Sequence, residues 1–245
     1  MMLSRLLRAK MPQPPEDRAQ DVRSASRTHV GHVRKVNEDR ILDRPERQLW
    51  AVADGMGGHH SGDVAAQFAI DALDALDHPT ADAIVGALRD ANAALFNRGQ
   101  DGDRRSGTTV VAASVHGDIA DIFWAGDSRA YRIRDGALEL LTRDHSLVQR
   151  LVDAGALSAE EALRHPKANV ITRALGVEDH IVIERRQVEL RPGDLILLCS
   201  DGLSRTLGAE VPRSTGLPDL ADLLIDQAMS RDGTDNASLV IAAMI

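Results

Sequence analysis

Five aspartates stand where apolar, strand-like runs begin or stop, and that placement constrains this chain more than any other feature. Asp54 ends LWAVAD and is followed by Gly55, Met56, Gly57 and Gly58; Asp127 ends IFWAGD; Asp201 ends LILLCSD and precedes Gly202. Asp235 comes just before the last apolar run, in GTDNAS, and Asp39 follows Glu38 at the start of a further strand, in VNEDR. A lone carboxylate at the edge of a buried strand is costly to desolvate and takes up a proton. Several converging on one point are stable only when cations neutralise the group. Hard oxygen ligands without His or Cys select Mg²⁺, Mn²⁺ or Ca²⁺ over Zn²⁺. The glycines after Asp54 let backbone carbonyls and a substrate approach closely. Any single Asp-Gly pair is ordinary turn chemistry, but that does not account for the ordered set.

The runs themselves predict the fold class. Strand patterns cover 48–53, 107–116, 119–125, 129–134, 194–200 and 237–244, all rich in β-branched or aliphatic residues. Apolar residues at helical spacing cover 62–77 and 80–98, and 146–164 and 217–230 also read as helix. Strands dominate and the helices fall in blocks, which favours an antiparallel α+β layering over a doubly wound parallel sheet. Aromatics are only 2 % of the 245 residues, so the core must be built from Leu, Val, Ile and Ala. Residues 1–25, with Pro12, Pro14 and Pro15 among polar side chains, read as a flexible arm. From Ser26 to residue 245 no linker divides the chain, so one domain standing nearly alone is expected.

Charge separates the two parts. Residues 1–35 carry a balance of +5 and the remainder −13. An acidic body of this kind argues against nucleic-acid binding, which needs a basic face. No apolar run approaches the ~18 residues of a membrane span, and the start lacks the apolar stretch of a signal peptide. A single cysteine, Cys199, excludes an intramolecular disulfide and fits a reducing compartment. A cytoplasmic protein is expected.

Eight motifs then run in one order: RKVNED (34–39), VADGMGGH (52–59), SGTT (106–109), AGDSRAY (125–131), TRDHS (142–146), ITRALG (171–176), LCSDGL (198–203) and GTDNAS (233–238). Carrying them over 26–244, the sequence resembles the protein phosphatase 2C-like, metal-dependent (PPM) family of serine/threonine phosphatases, especially its compact bacterial members. The resemblance implies a four-layer α-β-β-α sandwich, two antiparallel β-sheets flanked by helices, with Mn²⁺ or Mg²⁺ at one end. It implies that Asp54 bridges two cations and that Gly55 gives its carbonyl to one. Asp201 and Asp235 complete the other site, with Asp39 close by and Glu38 orienting bound water. Asp127 resembles the carboxylate that, with Asp201, holds a third cation. Two cations about 3.5–4 Å apart would activate a bridging water for in-line attack on phosphoserine or phosphothreonine. Arg34 is the expected phosphate clamp, since a guanidinium meets phosphate with two parallel hydrogen bonds. Met56 stands where some relatives carry a histidine, which leaves His59, His60 or a water as general acid. Residues 146–170 fall where relatives carry a mobile flap beside the catalytic centre.

Two rival readings remain open on sequence alone. Residues 199–205, CSDGLSR, match the Cys-x5-Arg pattern of thiolate phosphatases, although Leu198 replaces the usual histidine and Asp201 would sit in the anion cradle. The other rival is a catalytically weak module that only binds phosphoproteins. As an enzyme, the chain is expected to oppose a cognate Ser/Thr kinase. The kinase itself and forkhead-associated proteins are candidate substrates, and type VI secretion a candidate setting.

Overall fold

The computed structural model describes residues 22–57, 61–100 and 106–244. Among the described residues two antiparallel sheets stack face to face. One has the order β1 (Val22–His29), β11 (Ala237–Met244), β10 (Leu195–Cys199), β7 (Arg129–Arg134), β8 (Ala137–Leu140). The other has the order β2 (Asp39–Arg44), β3 (Leu49–Gly57), β5 (Val110–His116), β6 (Ile119–Ala125), β9 (Glu184–Glu189), with the short β4 (Ser106–Thr108) on the end of β3. Strand alternation sends one set of side chains from each sheet inward. Trp50, Val52, Val111 and Ile122 thereby meet Ile196, Leu198, Val240 and Ala242 between the sheets.

The other faces are covered by helices. Helices α1 (Gly62–Asp74) and α2 (Ala81–Gln100) pack Ala66, Ile70, Leu73, Ile84 and Leu88 on Ala51, Ala112 and Phe123 of the second sheet. Helix α6 (Leu217–Arg231) packs Leu220, Leu224 and Ala228 on Leu197, Leu239 and Ile241 of the first. This is the expected α-β-β-α sandwich. Of the six aromatics, Trp50, Phe123, Trp124 and Tyr131 are buried and Phe68 and Phe96 half-buried, and aliphatic residues fill the rest.

Three expected boundaries differ. The first sheet begins at Val22, so residues 22–25 belong to β1 and not to an arm; residues 1–21 lie outside the described residues. The run 107–116 is divided at Thr109 into β4 and β5, because the Thr109 hydroxyl is turned to the end of β3. The helical pattern over 146–164 is two short helices, α3 (Leu147–Asp153) and α4 (Ala159–Leu163), parted at Gly155, whose φ of 69° no helix continues. Among the described residues no helix is long and apolar enough to cross a membrane.

Candidate metal centre

Sheet register gathers the aspartates at one end of the sandwich. Asp39 opens β2 directly opposite Asp54 on β3. Asp201 follows β10 and opens the one-turn helix α5 (Asp201–Ser204), while Asp235 precedes the adjacent β11. Asp127 lies in the turn where the chain leaves β6 of one sheet for β7 of the other. Each therefore sits at a strand end, held by backbone ladders that the apolar runs build.

The polar residues around them act as spacers. Ser200 Oγ donates to Asp39 Oδ2 at 2.8 Å and accepts the Ser238 N–H at 3.0 Å, joining the two sheets beneath the carboxylates. Thr108 Oγ1 and the Thr109 N–H both donate to the Asp54 carbonyl, at 3.0 and 2.9 Å. The Thr109 hydroxyl accepts the Asp54 N–H and bonds the Ser128 hydroxyl at 2.7 Å, linking the Asp54 and Asp127 loops. Asn236 donates to the Val30 and Val36 carbonyls and accepts the Glu38 N–H, which fixes the loop carrying Arg34 and Glu38. Gly55 has no space for a side chain: a Cβ there would stand 2.0 Å from the Gly62 carbonyl oxygen and 2.8 Å from that of Glu38.

Electrostatics record how crowded this end is. Burial, then the charges of Asp39, Asp127 and Asp235, push the Asp54 carboxyl well above its ordinary value. Burial raises Asp39 to about 6 against the hydrogen bonds of Ser238 and Ser200, and burial with Asp144 raises Asp127 to about 6. Asp39 Oδ1 and Asp127 Oδ1 are buried acceptors without a donor. Two arginines offset part of the charge. Arg34 forks onto Asp235, Nε to Oδ1 and Nη2 to Oδ2, both at 2.9 Å; Arg205 bonds Asp201.

Asp39, Asp127 and Asp235 are thus brought within electrostatic reach of Asp54, and Asp201, bonded to Arg205, lines the same cleft as Asp127. No three His, Cys, Asp or Glu side chains among the described residues form a ready-made metal cluster. The residues nevertheless fit a hard divalent cation. Every donor is oxygen, two buried carboxylate oxygens lack partners, and Gly55 lets the backbone in close. Glu38 contributes its carbonyl to the Gly55 N–H at 3.2 Å, and its side chain packs on Gly62. His59 and His60 lie outside the described residues.

The thiolate reading does not survive. Cys199 is fully buried on β10, burial pushes its thiol up to about 12, and Arg205 faces Asp201 instead of forming an anion cradle. Sequence reasoning met Arg205 only as part of that pattern, and it gave no role to His145 or Arg173. Beside Asp127, Asp201 and Arg205 opens a cleft of about 380 Å³ whose far wall is Val148, Val152 and Leu163 of α3 and α4.

Fold and site together define an α-β-β-α sandwich with an oxygen-only, cation-seeking end. The chain belongs to the protein phosphatase 2C family, whose model matches residues 27–239. It is 39 % identical over 236 residues to the serine/threonine protein phosphatase PstP of Mycobacterium tuberculosis, matching 91 % of this chain and 45 % of that protein. The chain thus spans about half the length of this curated relative. Among solved structures, the PstP catalytic domain in complex with two manganese ions aligns with a TM-score of 0.80 and 36 % identity, covering 91 % of this chain and 98 % of that one. PppA, described as a key regulatory component of the type VI secretion system in Pseudomonas aeruginosa, aligns with a TM-score of 0.82 and 39 % identity over the same shares.

Proposed function

We propose that this chain is a metal-dependent phosphatase that hydrolyses phosphoserine and phosphothreonine in proteins. The observation that carries the reading is the meeting of Asp39, Asp54, Asp127 and Asp235 at one end of the sandwich, with partnerless buried carboxylate oxygens and Asp201 alongside. Asp54, the Gly55 carbonyl, Asp39, Asp201 and Asp235 would hold two Mn²⁺ or Mg²⁺ ions, and Asp127 with Asp201 a third. Such ions, when bound, lend Lewis acidity to the phosphoryl oxygens and to the attacking water. The two manganese ions of the PstP domain, a relative of the same fold, support that choice of cofactor.

The chain's own residues do the rest. Ser200 fixes the Asp39 carboxylate, and Thr108 and Thr109 the Asp54 carbonyl, before any ligand arrives, whereas Arg34 and Arg205 would release Asp235 and Asp201 to the cations. Arg34 is half-exposed at the rim and already shows a two-bond fork to an oxyanion, the geometry with which it would grip phosphate. Glu38, held against Gly55 and Gly62, would orient water beside the cations. His59 is the candidate proton donor to the leaving alkoxide, on its sequence position.

The segment 146–170 would act as the flap over the cleft beside Asp127 and Asp201. We place the enzyme in the cytoplasm, acting on a cognate Ser/Thr kinase and its substrates; the likeness to PppA supports a role in type VI secretion regulation. The test is release of phosphate from a phosphothreonine peptide with Mn²⁺ and with chelator, for wild type, Asp201→Ala and Cys199→Ser. Mn²⁺-dependent release that survives Cys199→Ser and collapses in Asp201→Ala is expected. No release under any metal condition would sink the enzyme reading and favour a phosphoprotein-binding module.

A further inference from the structure

The motifs TRDHS and ITRALG have no part in the chemistry above, yet they meet on the loop that carries Asp127. Residues 143–145 lie along that loop through three successive contacts. Trp124 Nε1 donates to the Arg143 carbonyl at 2.9 Å, and Arg129 forks onto Asp144 at 2.9 and 2.6 Å. His145 then joins Gly126 twice: its N–H donates to the Gly126 carbonyl at 2.9 Å, and the Gly126 N–H donates to His145 Nδ1 at 3.0 Å. The imidazole stacks on Trp124, 14° from parallel.

The turn itself leaves no slack. Gly126 has a φ of 119°, and a Cβ there would stand 2.5 Å from Thr109 Cβ. From the other side come residues at the far end of the flap. The Thr172 N–H donates to the His145 carbonyl at 2.7 Å, Ser146 bridges Ile171, and Arg173 Nη1 lies 3.1 Å from His145 Nε2. The two ends of the flap therefore close on the residue that holds the Asp127 turn.

Counting protons decides which contact is the hydrogen bond. A neutral imidazole has one lone pair to offer, and both Gly126 and Arg173 are donors. Arg173 has two other acceptors, Glu184 Oε1 at 2.9 Å and the Val182 carbonyl at 3.2 Å. The lone pair therefore goes to Gly126 from Nδ1, and Nε2 carries the hydrogen. Burial and the Arg173 charge hold the ring neutral, lowering it to about 4 against Glu184 and Asp144.

We propose that His145 is a positioning residue for Asp127, a clasp that seats the Gly126–Asp127 turn through its Nδ1 lone pair, with Arg173 closing behind it. The proposal rests on Asp127 being a cation ligand. Its role is distinct from ligation, because His145 touches the turn and not the carboxylate.

The first test uses the wild-type protein, by long-range ¹H–¹⁵N correlation of the imidazole between pH 6 and 8. A bare Nδ1 and protonated Nε2 throughout are expected; a hydrogen on Nδ1 would overturn the clasp. The second is calorimetric Mn²⁺ titration of wild type, Asp127→Ala, His145→Asn and His145→Leu. Asparagine can still accept the Gly126 N–H through Oδ1, whereas leucine cannot. Leucine should weaken the binding event that Asp127→Ala removes by about tenfold or more, the usual cost of losing a ligand's support, while asparagine stays within about threefold of wild type. Equal binding by the leucine variant and wild type, or asparagine as weak as leucine, overturns the proposal. Should the leucine variant fail to fold, the imidazole spectrum and the asparagine titration still decide. Wild type that binds no Mn²⁺ at all would refute the metal-centre reading itself, whereas Mn²⁺ binding indifferent to His145 would refute the clasp alone.

Discussion

Asn236→Ala isolates the scaffold beneath the site from the site itself. The amide makes three hydrogen bonds: Nδ2 to the Val30 and Val36 carbonyls at 2.9 and 3.0 Å, and Oδ1 from the Glu38 N–H at 2.8 Å. Asn236 is 6 % exposed, but Val30, Val36 and Glu38 are only half-buried. Water can reach their backbone groups once the amide is gone, so the low end of the range applies. At about 1 kcal/mol per bond the loss is about 3 kcal/mol. For a domain of this size that lowers Tm by roughly 6–12 °C. The measurement is urea unfolding in chelator, reading the midpoint at constant slope, so that metal binding does not enter. Asn236→Asp should be at least as damaging, because it turns a carboxylate oxygen on the two carbonyls. An alanine variant within about 0.5 kcal/mol of wild type, the range of a neutral surface change, would refute the reasoning, as would an aspartate variant more stable than alanine.

Other consequences follow from the same packing. Gly55→Ala would force the end of β3 off the start of α1, since its Cβ would lie 2.0 Å from the Gly62 carbonyl oxygen; lost Mn²⁺-dependent activity with a lowered Tm is expected, and normal turnover would contradict it. Cys199→Ser places a hydroxyl in an apolar cluster and should cost about 1–3 kcal/mol in thermal unfolding while leaving kcat in place. The metal-free protein should melt higher at pH 5.5 than at pH 7.5. Asp39 and Asp127, raised to about 6, favour the native state below their unfolded values and lose that contribution as pH rises through 6. Asp54 acts in the same direction, and the half-buried His145 acts against them. Saturating Mn²⁺ should remove the carboxylate contribution and with it the advantage of pH 5.5, and a Tm independent of pH in chelator would refute it.

The residues explain what could be read in advance. β6, β7 and β11 follow their sequence patterns closely because each is a continuous apolar or alternating run in the middle of a sheet. β1 and β9 were illegible: VRSASRTH and ERRQVE are largely polar edge strands, and only pairing with β11 and β6 makes them strands. Aspartates at the ends of apolar runs pointed to the acidic end, because strand ends stack when strands pair. What periodicity could not supply was the pairing of side chains across long sequence gaps. Arg34 on Asp235 spans 201 residues, and Arg173 at His145 depends on the flap folding back. Even Arg205, four residues from Asp201, was masked by a pattern belonging to another chemistry.

The central claim is that the strand-end carboxylates hold divalent cations, and anomalous diffraction from crystals grown with Mn²⁺ tests it most directly. Two strong manganese peaks are expected at the end of the sandwich, against Asp54, the Gly55 carbonyl, Asp39, Asp201 and Asp235, with any third beside Asp127. Manganese found only elsewhere, or none at this end with Arg34 and Arg205 still bound to Asp235 and Asp201, would contradict the account.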